Sequence, residues 1–171
     1  MFGGWEMPAS WLQSVNALFI ILLAPIFSAL WLWLGSRSPS IPGKMALGLL
    51  QLGMGFAVMA WASVYASPEH PLNPSWLVVT YFFHTTGELC LSPIGLSSIT
   101  KLSPPRYVGQ MMGIWFMGAA LGNLVAGRVA GLIESLPLPQ LFGAVTMFSV
   151  GAALLLLVFT KPLKHWMGGV Q

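Results

Sequence analysis

Long apolar runs alternate with short polar connectors along almost the whole chain. Five runs, at about 11–34, 45–66, 76–100, 108–132 and 140–160, reach the roughly 20 residues that a helix needs to cross a bilayer. Each run is continuous and lacks the two-residue alternation of a membrane barrel strand. The connectors Ser36–Lys44, Ser67–Ser75, Lys101–Tyr107 and Ile133–Pro139 place Pro and Gly at the helix ends, where such residues stop or start a helix. The pattern predicts an all-α membrane protein, residues 1–171 forming one bundle of five transmembrane helices.

Charge sets an orientation on this pattern. Arg37 and Lys44 lie in the first connector, Lys101 and Arg106 in the third, and Lys161 and Lys164 in the tail. The second and fourth connectors have no Lys or Arg, and Arg128 lies near the outer end of span four. The positive-inside rule then places connectors one and three and the C-terminus in the cytoplasm, with the N-terminus outside. An outer N-terminus without a secretory signal, and an odd number of spans, point to the C-terminal part of a larger protein. On that reading Met1 is an internal start or an artefact of gene assignment.

Composition removes other classes. The chain is 56% hydrophobic and 6% charged, with a mean hydropathy of +0.79. A soluble domain carries about 25% charged residues. The net charge of +3 comes from cations in short loops and is not a nucleic-acid patch. The one cysteine, Cys90, lies inside an apolar span, which excludes a disulfide framework and a cysteine-based metal site.

Candidate chemistry lies in span three. Glu88 is the one acid within any of the apolar cores. A carboxylate at bilayer depth costs about 3 kcal/mol on insertion scales, so a partner charge, a water-filled cavity or a ligand must compensate it. His84, Glu88 and Ser92 follow at i, i+4 and i+8, with Tyr81 and Gly95 on the same stripe. Such a polar face lines a substrate or ion path or bonds helices together. His84 either shares in the function of that face or simply caps or pairs with Glu88. Pro93 removes a backbone donor and crowds the Leu89 carbonyl, a break tolerated where backbone lines a cavity.

Span one carries Gln13 and Asn16 on one face. Gln13 suits interfacial hydration, whereas Asn16 is deeper and could bind a ligand carbonyl or amine, since an amide both donates and accepts. Span four has three small-residue pairs, Gly109/Gly113, Gly118/Gly122 and Gly127/Gly131, which suit close helix packing. Trp115 is too deep for an interfacial belt and suits a pocket wall. Spans two and five hold almost nothing polar at depth and read as lipid-facing supports. Trp31, Trp33, Trp61 and Trp166 sit near span ends, as aromatic belts do.

Three segments carry a resemblance: Gln13-Ser-Val-Asn-Ala-Leu-Phe-Ile20, His84-Thr-Thr-Gly-Glu-Leu-Cys-Leu-Ser-Pro-Ile-Gly-Leu-Ser97 and Met112-Gly-Ile-Trp-Phe116. They resemble the proton-dependent oligopeptide transporter family, the peptide-transporter branch of the major facilitator superfamily. The resemblance covers essentially the whole chain and implies helices eight to twelve of twelve, a partial C-terminal bundle. It implies that Glu88 binds a peptide's amino terminus and that Asn16, Ser92 and Trp115 belong to the same site; His84, from its place on the stripe, is an accessory candidate. The family's usual Asn-Pro is Asn16-Ala17 here.

The resemblance further implies a fragment of a proton-coupled di- and tripeptide symporter in the bacterial inner membrane, inactive alone. Its partners would be peptides, protons, lipid and the missing N-terminal helices, with no cofactor, metal or catalytic residue. The family's proton-coupling Glu and Arg lie on its first helix and a paired Lys on its fourth, outside this chain. Two other readings stay open. One is a membrane assembly protein that pairs through the span-four glycines with a separately encoded helix bundle. The other is an intramembrane metalloenzyme using His84 and Glu88, for which His70 and His165 lie on opposite sides of the membrane.

Overall fold

In a computed structural model the described residues are 9–66 and 72–167, and the side chains of residues 9–13, 134 and 166 also fall outside the description. The expectations for Gln13, His70 and the Trp166 ring therefore lie outside the described residues. Five long helices make up the fold: α1 (Ala9–Leu34), α2 (Ile41–Val64), α3 (Ser75–Leu102), α4 (Val108–Ala130) and α5 (Leu138–Trp166). Short 3-10 turns precede α2 and follow Leu102 and Ala130. Local chemistry sets several ends. Gly35 closes α1 at φ 46°, a left-handed turn that glycine adopts without a Cβ clash. Pro42 and Pro139 open α2 and α5, where a missing N–H costs nothing. Asn73 Oδ1 accepts the Ser75 amide at 3.0 Å at the start of α3.

Among the described residues, α1, α2, α4 and α5 are long and apolar enough to cross a membrane. The 28 residues of α3 exceed the roughly 20 required, but Thr80, His84, Thr85, Thr86 and Glu88 dilute its apolar character. The helix does not break at Pro93; α3 passes through it, as α1 passes through Pro25 and α5 through Pro162. One missing bond leaves the flanking turns of the ladder in place.

The packing centre is α2, which lies between α3 and α5, while α1 and α4 each contact α3. This corrects the reading of α2 as a lipid-facing support. Small residues explain the difference. A Cβ on Gly48 would sit 2.7 Å from the Gly87 carbonyl oxygen, and one on Gly87 would sit 2.7 Å from the Gly48 oxygen. The backbones of α2 and α3 touch there. On another face of α2, Gly53 receives Val150 of α5, and Phe56 stacks on Phe142 with ring centroids 6.4 Å apart. Thr80 Oγ1 donates to the Gly55 carbonyl at 3.3 Å. Between α1 and α3, Phe19 meets Phe82 edge-on at 5.9 Å.

The buried side chains are mostly small: Ala46, Ala62, Cys90, Ala153 and Thr85 are almost fully enclosed. Gln51 Nε2 reaches the Cys90 sulfur at 3.7 Å. Large side chains such as Leu32, Trp33, Met147, Phe148 and Val158 point outward, as they do on a bundle solvated by lipid tails. Trp31 lies under Lys44 Nζ at 4.7 Å, and Trp61 meets Trp76 and Tyr65 edge-on at 5.2 and 5.5 Å.

The α4 glycines depart from expectation. A Cβ on Gly109, Gly113, Gly118, Gly122, Gly127 or Gly131 would meet nothing within 4 Å. Within the described residues they are not contact points, and the contacts of α4 with the other long helices are mainly with α3. Gly87→Ala should therefore lower the stability of the detergent-solubilised chain by roughly 1–3 kcal/mol, whereas Gly118→Ala should change it by less than about 0.5 kcal/mol. Thermal midpoints of the two variants against the parent check this; equal midpoints would contradict the contact assignment.

Candidate functional site

The polar stripe of α3 faces α1 and α2 across a cavity of about 320 Å³. Its walls are Asn16 from α1, Leu52 from α2, and Tyr81, His84, Gly87, Glu88, Leu91 and Ser92 from α3. Of the expected site residues, the cavity brings together Asn16, Glu88, Ser92 and His84. The tight Gly48–Gly87 crossing carries α2 close under the stripe and so shapes the floor.

Glu88 is exposed and makes no hydrogen bond or ion pair among the described residues. Its carboxylate offers two free acceptor oxygens. Asn16 is half-buried, and its Oδ1 accepts a hydrogen bond from Thr85 Oγ1. Ser92 is half-buried on the same wall, one turn beyond Glu88.

His84 does not bond to Glu88. Its ring is wedged against α2, where a Cβ on Gly55 would fall 2.6 Å from Nε2, and it tilts on Phe56 with ring centroids 4.6 Å apart. Nε2 is buried there without a hydrogen-bond partner among the described residues. His84 thus lines the cavity while its inner nitrogen faces α2.

Trp115 stands apart. Its six-membered ring covers Gly95 so closely that a Cβ there would overlap Cη2. It lines a second cavity of about 500 Å³ with Ser98, Ile99, Leu102, Tyr107, Met111 and Ile114 among others. Gly95 follows Ser92 by one turn, so the stripe leads from the first cavity to the footing of Trp115.

Thr85 escaped the sequence reading. In hydropathy terms a threonine is neutral, and its usual bond to its own helix carries no signal. Its position one turn before Glu88, beside the stripe, was the available clue. Among the described residues no three His, Cys, Asp or Glu side chains gather closely enough to hold a metal, and His84 and Glu88 share the cavity without a third ligand. What the cavity offers is an unpaired carboxylate flanked by amide, phenol and hydroxyl groups. That set suits a small molecule bearing a cation and hydrogen-bonding groups.

Comparison with known proteins gives concordant results. The family model described as PTR2, POT family, matches residues 1–147. The chain is 43% identical to the peptide transporter YePEPT of Yersinia enterocolitica, across 100% of this chain and 35% of that protein. It is 32% identical to a di-/tripeptide transporter of Lactococcus lactis, across 98% of this chain and 34% of that one. A crystal structure of a peptide transporter POT in complex with sulfate superposes with a TM-score of 0.85 at 37% identity, covering 94% of this chain and 32% of that one. The chain thus spans about a third of the length of the relatives it matches. Its five helices are arranged as a partial bundle of that transporter fold.

The Trp115 contact yields a test. Gly95→Ala should cost roughly 1–3 kcal/mol because the added methyl group overlaps the indole. The same change in a Trp115→Ala background should cost far less, because the overlap is gone. Additive thermal shifts in the two backgrounds would contradict the contact.

Proposed function

This chain belongs to the POT family, and from that membership we propose that it forms helices eight to twelve of a proton-coupled di- and tripeptide symporter, inactive alone. The observation that carries the reading is the unpaired Glu88 carboxylate in a cavity shared with Asn16 and Ser92. The names of the relatives, a peptide transporter and a di-/tripeptide transporter, supply the substrate class.

In this reading Glu88 takes the peptide ammonium. Two opposite charges 4 Å apart attract by about 4 kcal/mol at an effective dielectric of 20, and the low polarity of the membrane interior preserves that attraction. Asn16 and Ser92 address the peptide backbone. Trp115, with the apolar second cavity, takes variable side chains, a wall that tolerates many shapes. His84 supports the Glu88 face as an accessory residue. Proton coupling resides on helices outside this chain, and alternating access needs a second half to rock against. The bundle sits in the bacterial inner membrane with its C-terminus in the cytoplasm.

A second reading, assembly with a separately encoded helix bundle, is favoured by the uncontacted glycines on two sides of α4. In-frame DNA upstream of Met1 that encodes further spans supports the symporter reading; a separate intact gene for the other half supports assembly.

In the complete transporter containing these helices, Glu88→Gln should lower peptide uptake by at least about 100-fold, the scale of a lost charge pair, at unchanged membrane levels. Uptake of a radiolabelled dipeptide decides it, and normal transport by the variant overturns the reading. An N-acetylated dipeptide, which lacks the ammonium, should fail to compete for uptake; competition equal to that of the free peptide would count against Glu88 as the amine ligand.

A further inference from the structure

Thr85 is 0% exposed, and its hydroxyl leaves its own helix to reach the Asn16 carboxamide on α1. The other five threonines all bond backbone carbonyls of their own helices, Thr80 to Trp76, Thr86 to Phe82 and Phe83, Thr100 to Ser97, Thr146 to Phe142 and Thr160 to Leu156, and Thr80 shares its hydroxyl with the Gly55 carbonyl of α2. That local bond is the ordinary choice for a helical threonine. Thr85 forgoes it for a contact 69 residues away in sequence.

The direction of the bond matters. A hydroxyl has one proton to give, and only the oxygen of a carboxamide accepts. With Thr85 donating, Oδ1 of Asn16 is occupied and its NH2 is left for the cavity. Turning the amide over would exchange this bond for one from the NH2 to the hydroxyl oxygen and send the Thr85 proton back to its own helix; in the structure the hydroxyl instead donates to Oδ1. Read from sequence alone, Asn16 suits either an amine or a carbonyl. With Oδ1 engaged by Thr85, the NH2 is the group turned to a ligand.

We propose that Thr85 is a positioning residue of the peptide site. It holds the Asn16 carboxamide with its NH2 toward the substrate, so that Asn16 donates to the first carbonyl oxygen of the peptide. Glu88 is then left to accept the ammonium. The pair selects compounds in which an amine and a carbonyl are adjacent, as in an α-aminoacyl group. This rests on the peptide-transport reading above.

The experiment is a double-mutant cycle on dipeptide uptake by the complete transporter, corrected for the amount of protein in the membrane. Thr85→Val keeps the shape and removes the hydroxyl. It should raise KM about five- to tenfold, the size of one lost hydrogen bond, with kcat within about twofold of the parent. Thr85→Ser should restore the parental KM. In an Asn16→Ala background, Thr85→Val should add nothing. Thr85→Val should also lose most of the preference for a dipeptide over its analogue with a methylene in place of the first carbonyl. Asn16→Asp, which keeps an acceptor for Thr85 but has no donor, should raise KM by more than about tenfold.

A parental KM in Thr85→Val, an undiminished effect of that change in Asn16→Ala, or a parental KM in Asn16→Asp each overturns the proposal. Glu88→Gln, measured alongside, separates it from its premise. Uptake surviving Glu88→Gln overturns the peptide reading itself. Uptake lost in Glu88→Gln, together with an uncoupled Thr85–Asn16 cycle, overturns only the positioning role.

Discussion

The backbone contact between Gly48 and Gly87 governs the arrangement of this bundle. In lipid, helices gain little from burying apolar side chains, because the tails outside are equally apolar. Close approach and interhelical hydrogen bonds have to supply the cohesion. Where α2 and α3 touch, Thr80 reaches the Gly55 carbonyl and His84 fits against Gly55. Removing side chains at three glycines lets all of this happen along one seam. The same seam presents the α3 stripe toward α1, which is what turns a row of polar residues into a cavity.

Much of this was legible in the residues. Five apolar runs announce five helices, and the i, i+4, i+8 spacing of His84, Glu88 and Ser92 places them on one wall. The motif around Glu88 carries the family. Helix neighbours were less legible. Hydropathy reports how apolar a helix is, not which side of it is thin, so α2 read as a support although Gly48, Gly53 and Gly55 make it the hub. The glycines of α4 misled for the related reason that a small residue permits an approach without requiring one. Of the two readings open for His84, the bond to Glu88 does not form, because i, i+4 spacing shows that two side chains can meet and says nothing about another helix competing for one of them.

The site itself is unevenly built. Asn16 is held by a bond from a fully buried threonine, His84 is wedged by a neighbouring helix, and Trp115 rests on a glycine. Glu88 has no such support among the described residues. The groups that shape the cavity are thus fixed by the bundle, while the group that carries the charge is left free. That division suits a site in which the substrate, rather than the protein, completes the ion pair, since a permanent internal partner would compete with the ligand for the same carboxylate.

The single thiol has a use that its inertness hides. Cys90 lies on α3 within the seam, fully enclosed, with Gln51 of α2 against its sulfur. A maleimide or similar reagent reaches that sulfur only after α2 and α3 have drawn apart. With no second cysteine in the sequence, alkylation of the chain is a one-channel clock for the parting of those two helices, native to the protein and free of any engineered label.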